Sequence, residues 1–397
     1  MRSVEEALTA ILAAGRLTDV ERVGLDRCLG RVPAEGSVVA PGDVPPFANS
    51  SMDGFAVRAA DTPGELLLDG EVAAGASSLP TVTAGRTVRI MTGAPMPPGA
   101  DAVVPIEDAT EDGGRVALPA VVAGRFVRAA GHDTRAGETV ALPPEPMTPS
   151  VIAVVASLGL HEVAVRARPR VAVLSTGDEL VEPGLQLQPG QIHDANSVAL
   201  AAAVREAGAE PVPLPRVGDD PEDIEEAIGQ AVARADLLVA SGGVSVGRHD
   251  HVRHVIERLG TLELWRIAVQ PGKPLAFGRI GDVPIVGLPG NPVSALVTFE
   301  LFVRPLLRAM QGLSGDGRQR VRARVAERLG KDPERRAYLR VVVSAEDGRY
   351  VATSAGGQAS SQLRPLAASN ALLIVPEGLE ATVPGETYDA LLLGGLA

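Results

Sequence analysis

Between residues 168 and 312 the chain alternates short apolar runs with stretches of helical period, and this constrains the fold more than any other feature. RVAVLS (170–175), EPVPL (210–214), DLLVAS (236–241) and VPIVGL (283–288) read as strands. Between them Val198, Leu200, Ala201 and Val204, then Ile224, Ala227, Ile228 and Ala231, mark helix faces. Apolar strands joined through helices make a parallel α/β sheet covered on both sides. A further helix is expected to open at Asn291-Pro292, a side chain able to cap followed by a residue suited to the first helical position, and to run to about Met310.

On either side the period changes. Residues 3–15 place Val4, Ala7, Leu8, Ile11 and Leu12 on one helix face. From about 37 to 145, short Val-, Leu- and Thr-rich runs broken by Gly and Pro read as a β-rich domain. MTPSVIAVVASLGL (147–160) returns to helix, with Pro149 and Ser150 placed like a cap, and is expected to pack beside the first helix. YLRVVVSA, NALLIVPEG and YDALLL read as strands of a small closing β-domain. The expected organisation is a helical linking domain in two pieces (1–44 with 137–167), a β-rich domain (45–136), the α/β domain (168–313) and a C-terminal β-domain (318–397).

Composition narrows the function. Lys plus Arg total 37 against 49 Asp plus Glu, a net charge of −12, so the overall field repels polyanions. Aromatics are 3%, too few for base-stacking platforms. Nucleic acid and anionic membrane are therefore not expected as partners. The single cysteine, Cys28, can form neither an internal disulfide nor a Cys-ligated metal site, and is expected to be buried. Glu5 and Glu6 stand where a signal peptide would begin its apolar core, and the apolar runs fall short of the ~18–20 residues that span a bilayer. A cytoplasmic enzyme is the expectation.

Four segments place small residues, hydroxyls and single charges just after strands, where ligands bind in an open parallel sheet. They are LSTGDEL (174–180) with Ser175 and Thr176, ASGGVSVGRHD (240–250) with Ser241, Gly242, Gly243 and Ser245, VQPGKPLAFG (269–278) and GLPGNPVSA (287–295). Glycines let backbone N–H groups approach an anion and hydroxyls add donors, so together they read as a pocket for a phosphorylated or oxyanionic ligand. None matches a Walker A loop or GxGxxG, which argues against an ordinary NTPase or nicotinamide enzyme. Asp178 and Glu179 follow one strand end, Asp219 and Asp220 another, and Asp250 ends the SGG loop; carboxylates gathered round a phosphate pocket are what a hard cation such as Mg²⁺ requires, although Asp220 before Pro221 also reads as a helix cap and Asp250 as the cap of the next helix. His251 and His254 invite a zinc reading but lack a third ligand with open coordination, so surface histidines are favoured. The acidic run at 108–112 reads as a solvated turn.

PPFANSSMDGFAVR (45–58), RIMTGAPMPPGADAVVPIED (89–108), LSTGDEL, SGGVSVGRHD, PGKPLAFG and GLPGNPVSA resemble, in order and spacing, the molybdopterin molybdenumtransferases, the family of MoeA and the gephyrin E domain. The resemblance implies a homodimer of four-domain subunits whose α/β domain binds molybdopterin. It implies a reaction that takes adenylylated molybdopterin and molybdate, hydrolyses the adenylate with a divalent cation, Mg²⁺, and inserts molybdenum to give molybdenum cofactor. It further assigns catalytic positions to Asp53, Thr92, Asp133, Glu179, Asp219 and Asp250, with metal binding at Glu179, Asp219 and Asp250. Substrate contacts fall on the SGG loop, Arg266, Lys273, Pro274, Pro289, Pro292, Arg335, Arg340 and Ser360; Lys273, Arg335 and Ser360 are the expected molybdate holders. Asp53 and Thr92 would complete the site from the other subunit. Many relatives carry lysine where this chain has Gln270, so one positive charge is absent and weaker molybdate binding, or compensation by Arg266, is expected. The alternatives are ATP-dependent adenylylation of molybdopterin and a non-catalytic scaffold or anchor. The adenylyltransferase of the same pathway is also a possible delivery partner.

Overall fold

The computed structural model describes residues 1–242 and 251–396. They form two compact units, Met1–Glu21 with Arg166–Ala397, and Arg22–Val165. The chain opens with α1 (Val4–Leu12), started by a capping box in which Ser3 and Glu6 satisfy each other's backbone N–H groups. Val4, Ala7 and Ile11 are buried in the core of the first unit, among residues of the α/β region.

In the Arg22–Val165 unit, six strands form one sheet: β1 (Gly54–Val57), β2 (Gly64–Val72), β3 (Arg86–Ile90), β4 (Ala102–Pro105), β5 (Thr110–Asp112) and β6 (Arg115–Leu118), in the order β4-β1-β3-β2-β6-β5. The period of two sorts their side chains into two cores: Phe55, Val57, Val104 and Val116 on one face, Ala56, Val88, Ile90 and Val103 on the other. The acidic run is exposed but forms edge strand β5 rather than only a turn, with Glu111 paired to Arg89. Helix α2 (Pro149–Ser157) is capped by Thr148, whose hydroxyl accepts from the Val151 N–H, so Pro149 is the first helical residue and not part of the cap. Its buried Val155 joins Val23, Cys28, Met147 and Val165 in a separate core, whereas α1 belongs to the α/β core. Cys28 is buried as expected, and burial pushes its thiol up.

The α/β sheet runs β8-β7-β9-β13-β12-β10, from β7 (Arg170–Ser175), β8 (Glu210–Val212), β9 (Leu237–Ser241), β10 (Thr261–Arg266), β12 (Pro274–Ile280) and β13 (Val283–Leu288); the two-residue strand β11 is Val269–Gln270. The four strands expected from sequence are the mutually parallel ones, and β12 and β10 extend the sheet antiparallel. Helices α3 (Ala195–Glu206), α6 (Pro292–Thr298) and α7 (Arg304–Met310) cover one face with α1, and α4 (Pro221–Arg234) and α5 (His251–Leu259) cover the other. A π-helical turn, Phe299–Val303, joins α6 to α7. Ile224, Ala227, Ile228 and Ala231 are buried as the period requires. On α3 the buried face is Leu200, Ala203 and Val204, with Val198 left exposed.

The C-terminal strands β14 (Arg320–Val325), β15 (Arg336–Glu346), β16 (Arg349–Ser354), β17 (Ala371–Val375) and β18 (Thr387–Leu392) pair in the ring β15-β16-β14-β18-β17-β15, a closed five-stranded barrel, with helix α8 (Leu363–Ala368) between β16 and β17. Strand β11 of the α/β region adds parallel to β15, Val269 opposite Arg336 and Gln270 opposite Ala337. Arg318 fixes the linker before the barrel, donating to Glu300, Glu206 and the Leu393 carbonyl. Among the described residues no helix is long and apolar enough to cross a membrane.

Candidate active site

The carboxyl ends of β7, β9 and β13 converge. Gly242, at φ +85 in the left-handed region, has Thr176 O 3.7 Å from where a Cβ would stand, and a Cβ on Gly290 would lie 3.7 Å from Gly242 Cα. Asn196 in the first turn of α3 ties these ends together, donating from Nδ2 to Ser241 Oγ at 2.9 Å and to the Gly290 carbonyl at 2.8 Å. Asp194 caps α3 through the Ser197 N–H and accepts from Ser175 Oγ at 3.4 Å. Ser175, Thr176, Ser241 and Gly242 are thus brought to one edge of the sheet with Pro289, Gly290 and Pro292. Gly243, Ser245 and Asp250 lie outside the described residues.

The barrel reaches the same edge. Asn291 does not cap α6 with its side chain, as its position suggests; it donates instead to Ser360 Oγ at 3.1 Å, and the Val293 N–H bonds the Ser360 carbonyl. Ser360 therefore sits on the turn that enters α6. The preceding loop rests on Arg340, fully buried, which donates to the Gly357 and Ala359 carbonyls at 2.9 and 3.2 Å. Gln358 completes the support by exchanging hydrogen bonds with the Arg340 backbone. No carboxylate pairs with Arg340 among the described residues, its Nε has no partner, and burial pushes its pKa down.

Lys273 is exposed on the loop between β11 and β12, and Pro274, also exposed, opens β12. That loop lies on α6, where a Cβ at Gly272 would stand 2.3 Å from Thr298 Cγ2. Arg335, half-buried, donates from Nε to Asp332 at 2.7 Å, and Lys273 is close enough to help lower the Asp332 pKa, after the Glu334 N–H and Arg335. Arg266 ends β10 opposite Pro274, its side chain exposed.

At the β7 end, Asp178 and Asp219 interlock, each carboxylate accepting the other's backbone N–H at 3.1 and 3.4 Å. The Glu179 carboxylate folds back to Gly177, its Oε2 2.4 Å from where a Cβ would lie. Asp220 is a cap, as its alternative reading has it, accepting the Glu222 N–H at 2.8 Å. Among the described residues no group of three or more His, Cys, Asp or Glu is placed to hold a metal; Asp250 falls outside them. His254 is exposed beside Glu257, in keeping with a surface histidine.

In the other unit, Asp53 Oδ1 accepts from the Thr92 N–H at 2.6 Å and from Thr92 Oγ1 at 2.8 Å. These two donors hold the Asp53 carboxyl below the usual carboxylate range. Asp133 is exposed, and its backbone N–H donates to the Val44 carbonyl. Sequence reasoning missed Asn196, Gln358 and Asp332. The Asp194 cap before ANS was findable as a helix start, whereas the bonds that tie Gln358 to Arg340, Asp332 to Gln270 and Asn196 to Gly290 span 18, 62 and 94 residues.

Three family models match the chain: the MoeA N-terminal region (domain I and II) over residues 2–159, a probable molybdopterin binding domain over 172–309, and the MoeA C-terminal region (domain IV) over 322–393. The chain belongs to the MoeA family. Molybdopterin molybdenumtransferase 2 of Mycobacterium tuberculosis is 41% identical over 97% of this chain and 98% of its own length. That of Haemophilus influenzae is 40% identical over 74% of each. The crystal structure of a molybdopterin biosynthesis MoeA protein from Pyrococcus horikoshii superposes with TM-score 0.82 at 34% identity, covering 99% of both chains. As a MoeA protein the chain is a transferase of molybdenum cofactor biosynthesis, and its arrangement of an α/β domain, sheet-rich domains and a small C-terminal barrel is that of its structural neighbours.

Proposed function

We propose that this MoeA protein inserts molybdenum from molybdate into adenylylated molybdopterin, with hydrolysis of the adenylate in a divalent-cation-dependent step. The observation that carries the reading is the Asn291–Ser360 hydrogen bond, which sets a hydroxyl of the barrel on the strand-end edge of the α/β sheet. Backbone donors at Gly242 and Gly290 suit an ester phosphate. Lys273, Arg335 and Ser360 supply the cationic and hydroxyl donors that a tetrahedral dianion takes.

The oxygen-only set at the β7 end fits a hard cation: the Asp178–Asp219 interlock fixes the loop, and the Glu179 and Asp219 carboxylates, with Asp250, would hold Mg²⁺. Bound there, such an ion would supply charge neutralisation at the phosphoanhydride for hydrolysis by water, with AMP as the leaving group. Asp53, kept ionised by Thr92, is assigned to the same reaction through a homodimer working in the cytoplasm, with the molybdopterin adenylyltransferase as delivery partner.

The test is molybdenum cofactor formation by the purified protein from adenylylated molybdopterin and molybdate, with and without Mg²⁺. Formation that stops with chelator is expected. Accumulation of adenylylated pterin from molybdopterin and ATP instead would overturn the reading in favour of the adenylyltransferase. Mixing Asp53→Ala with Lys273→Ala protein should restore activity that neither has alone if the subunits share sites.

A further inference from the structure

Gln270 reaches from β11 to the loop that enters β15. Residues 331–335 enter β15 through a turn closed by the Arg335 N–H and the Asp332 carbonyl. From below, Lys331 is buried and donates from Nζ to the Pro376 and Leu379 carbonyls, both at 2.8 Å. From the side, Gln270 Oε1 accepts the Asp332 N–H at 2.8 Å. The Asp332 carboxylate in turn takes the Glu334 N–H at 2.9 Å and Arg335 Nε at 2.7 Å. Three residues after Gln270 in the same loop stands Lys273.

We propose that Gln270 is a positioning residue, its carboxamide oxygen fixing Asp332 so that Arg335 is held beside Lys273 as one half of a two-cation oxyanion site. The argument is one of connection. Strand β11 alone pairs two residues with β15, which sets the register of the loops but not the azimuth of the Asp332 turn. The Gln270–Asp332 bond supplies that constraint across 62 residues of sequence. The group it meets is a backbone N–H, which only an acceptor can satisfy from this side. A cationic side chain at 270 would add charge but could not accept it, so the missing charge noted in the sequence is exchanged for geometry.

This inference rests on the reading of the site as a molybdate site, and the experiment separates the two. Gln270→Met keeps length and removes the acceptor; Gln270→Glu keeps an acceptor oxygen; Asp332→Ala removes the link itself. Molybdate binding is measured by calorimetry, turnover by cofactor formation, and the Asp332 amide by hydrogen exchange. Gln270→Met should raise the molybdate Kd and KM about 10-fold, the equivalent of one neutral hydrogen bond, with kcat within about twofold. The Asp332 amide should exchange faster in Gln270→Met and regain protection in Gln270→Glu. The Gln270→Met/Asp332→Ala double variant should bind no more weakly than Asp332→Ala alone. Additive losses, or a Gln270→Met variant that binds molybdate as the wild type does, overturn the inference alone. A wild-type protein that does not bind molybdate overturns the functional reading and the inference with it.

Discussion

Two arginines five residues apart in the same barrel strand and its entry are held in opposite ways. Arg340 is fully buried, donates to two loop carbonyls and meets no carboxylate among the described residues. Arg335 is half-buried and ion-paired to Asp332 three residues before it. A buried guanidinium bonded to backbone is a prop: it shapes the loop that presents Ser360. A guanidinium paired at the surface keeps donors that a tetrahedral anion can claim with modest rearrangement, since exposed ion pairs contribute only about 0–1 kcal/mol.

The sharpest way to break that contrast is Arg340→Ala, which leaves the Gly357 and Ala359 carbonyls unpaired and opens a cavity. Truncating a fully buried long side chain costs about 2–5 kcal/mol, so a fall in melting temperature of several degrees with loss of cofactor synthesis is expected in a thermal melt and an activity assay. Arg335→Ala should leave the melting temperature within about a degree and weaken molybdate binding, a loss visible by calorimetry as a raised Kd. Equal destabilisation by the two variants would remove the distinction.

The smallest effect sharpens it from the other unit, where an acid rather than a base is held by donors. Asp53 is bonded by the Thr92 N–H and hydroxyl, so its carboxyl titrates below the ordinary range and whatever its charge supports is present above that range and lost as pH falls through the depressed value. Thr92→Val removes one donor. The Asp53 titration, followed by NMR, should move up toward the ordinary carboxylate range, and the acid limb of activity should move to higher pH with it. An unmoved titration would assign the shift to the backbone N–H alone.

The four parallel strands were readable because strands buried on both faces are near-continuous apolar runs. TLELWR, which becomes β10, lacks that continuous apolar run and alternates as a half-buried strand does, and PLAFGRI, which becomes β12, carries Pro274 and Gly278. On α3, Val198 stands two residues before Leu200, about 200° round the helix from it, and so falls on the exposed side away from Leu200, Ala203 and Val204. At the site, the strand-end loops followed from position alone. Asn291 turned from its cap to Ser360, 69 residues on, and Gln270 to Asp332, since a side chain's choice between a local and a distant partner leaves no periodic trace. Asp53 and Thr92 came from the family resemblance, because nothing in their spacing of 39 residues announces a hydrogen bond.

Barrel closure has a consequence for how this chain survives its own synthesis. ALLIV in β17 is as sticky a segment as the protein possesses, and in an open sheet its outer border would invite a neighbouring polypeptide to zip on. Here β15 and β18 flank it on both sides, so that border disappears once the last strand docks. Shortening the C-terminus past Thr387 would therefore be felt first as precipitation during expression.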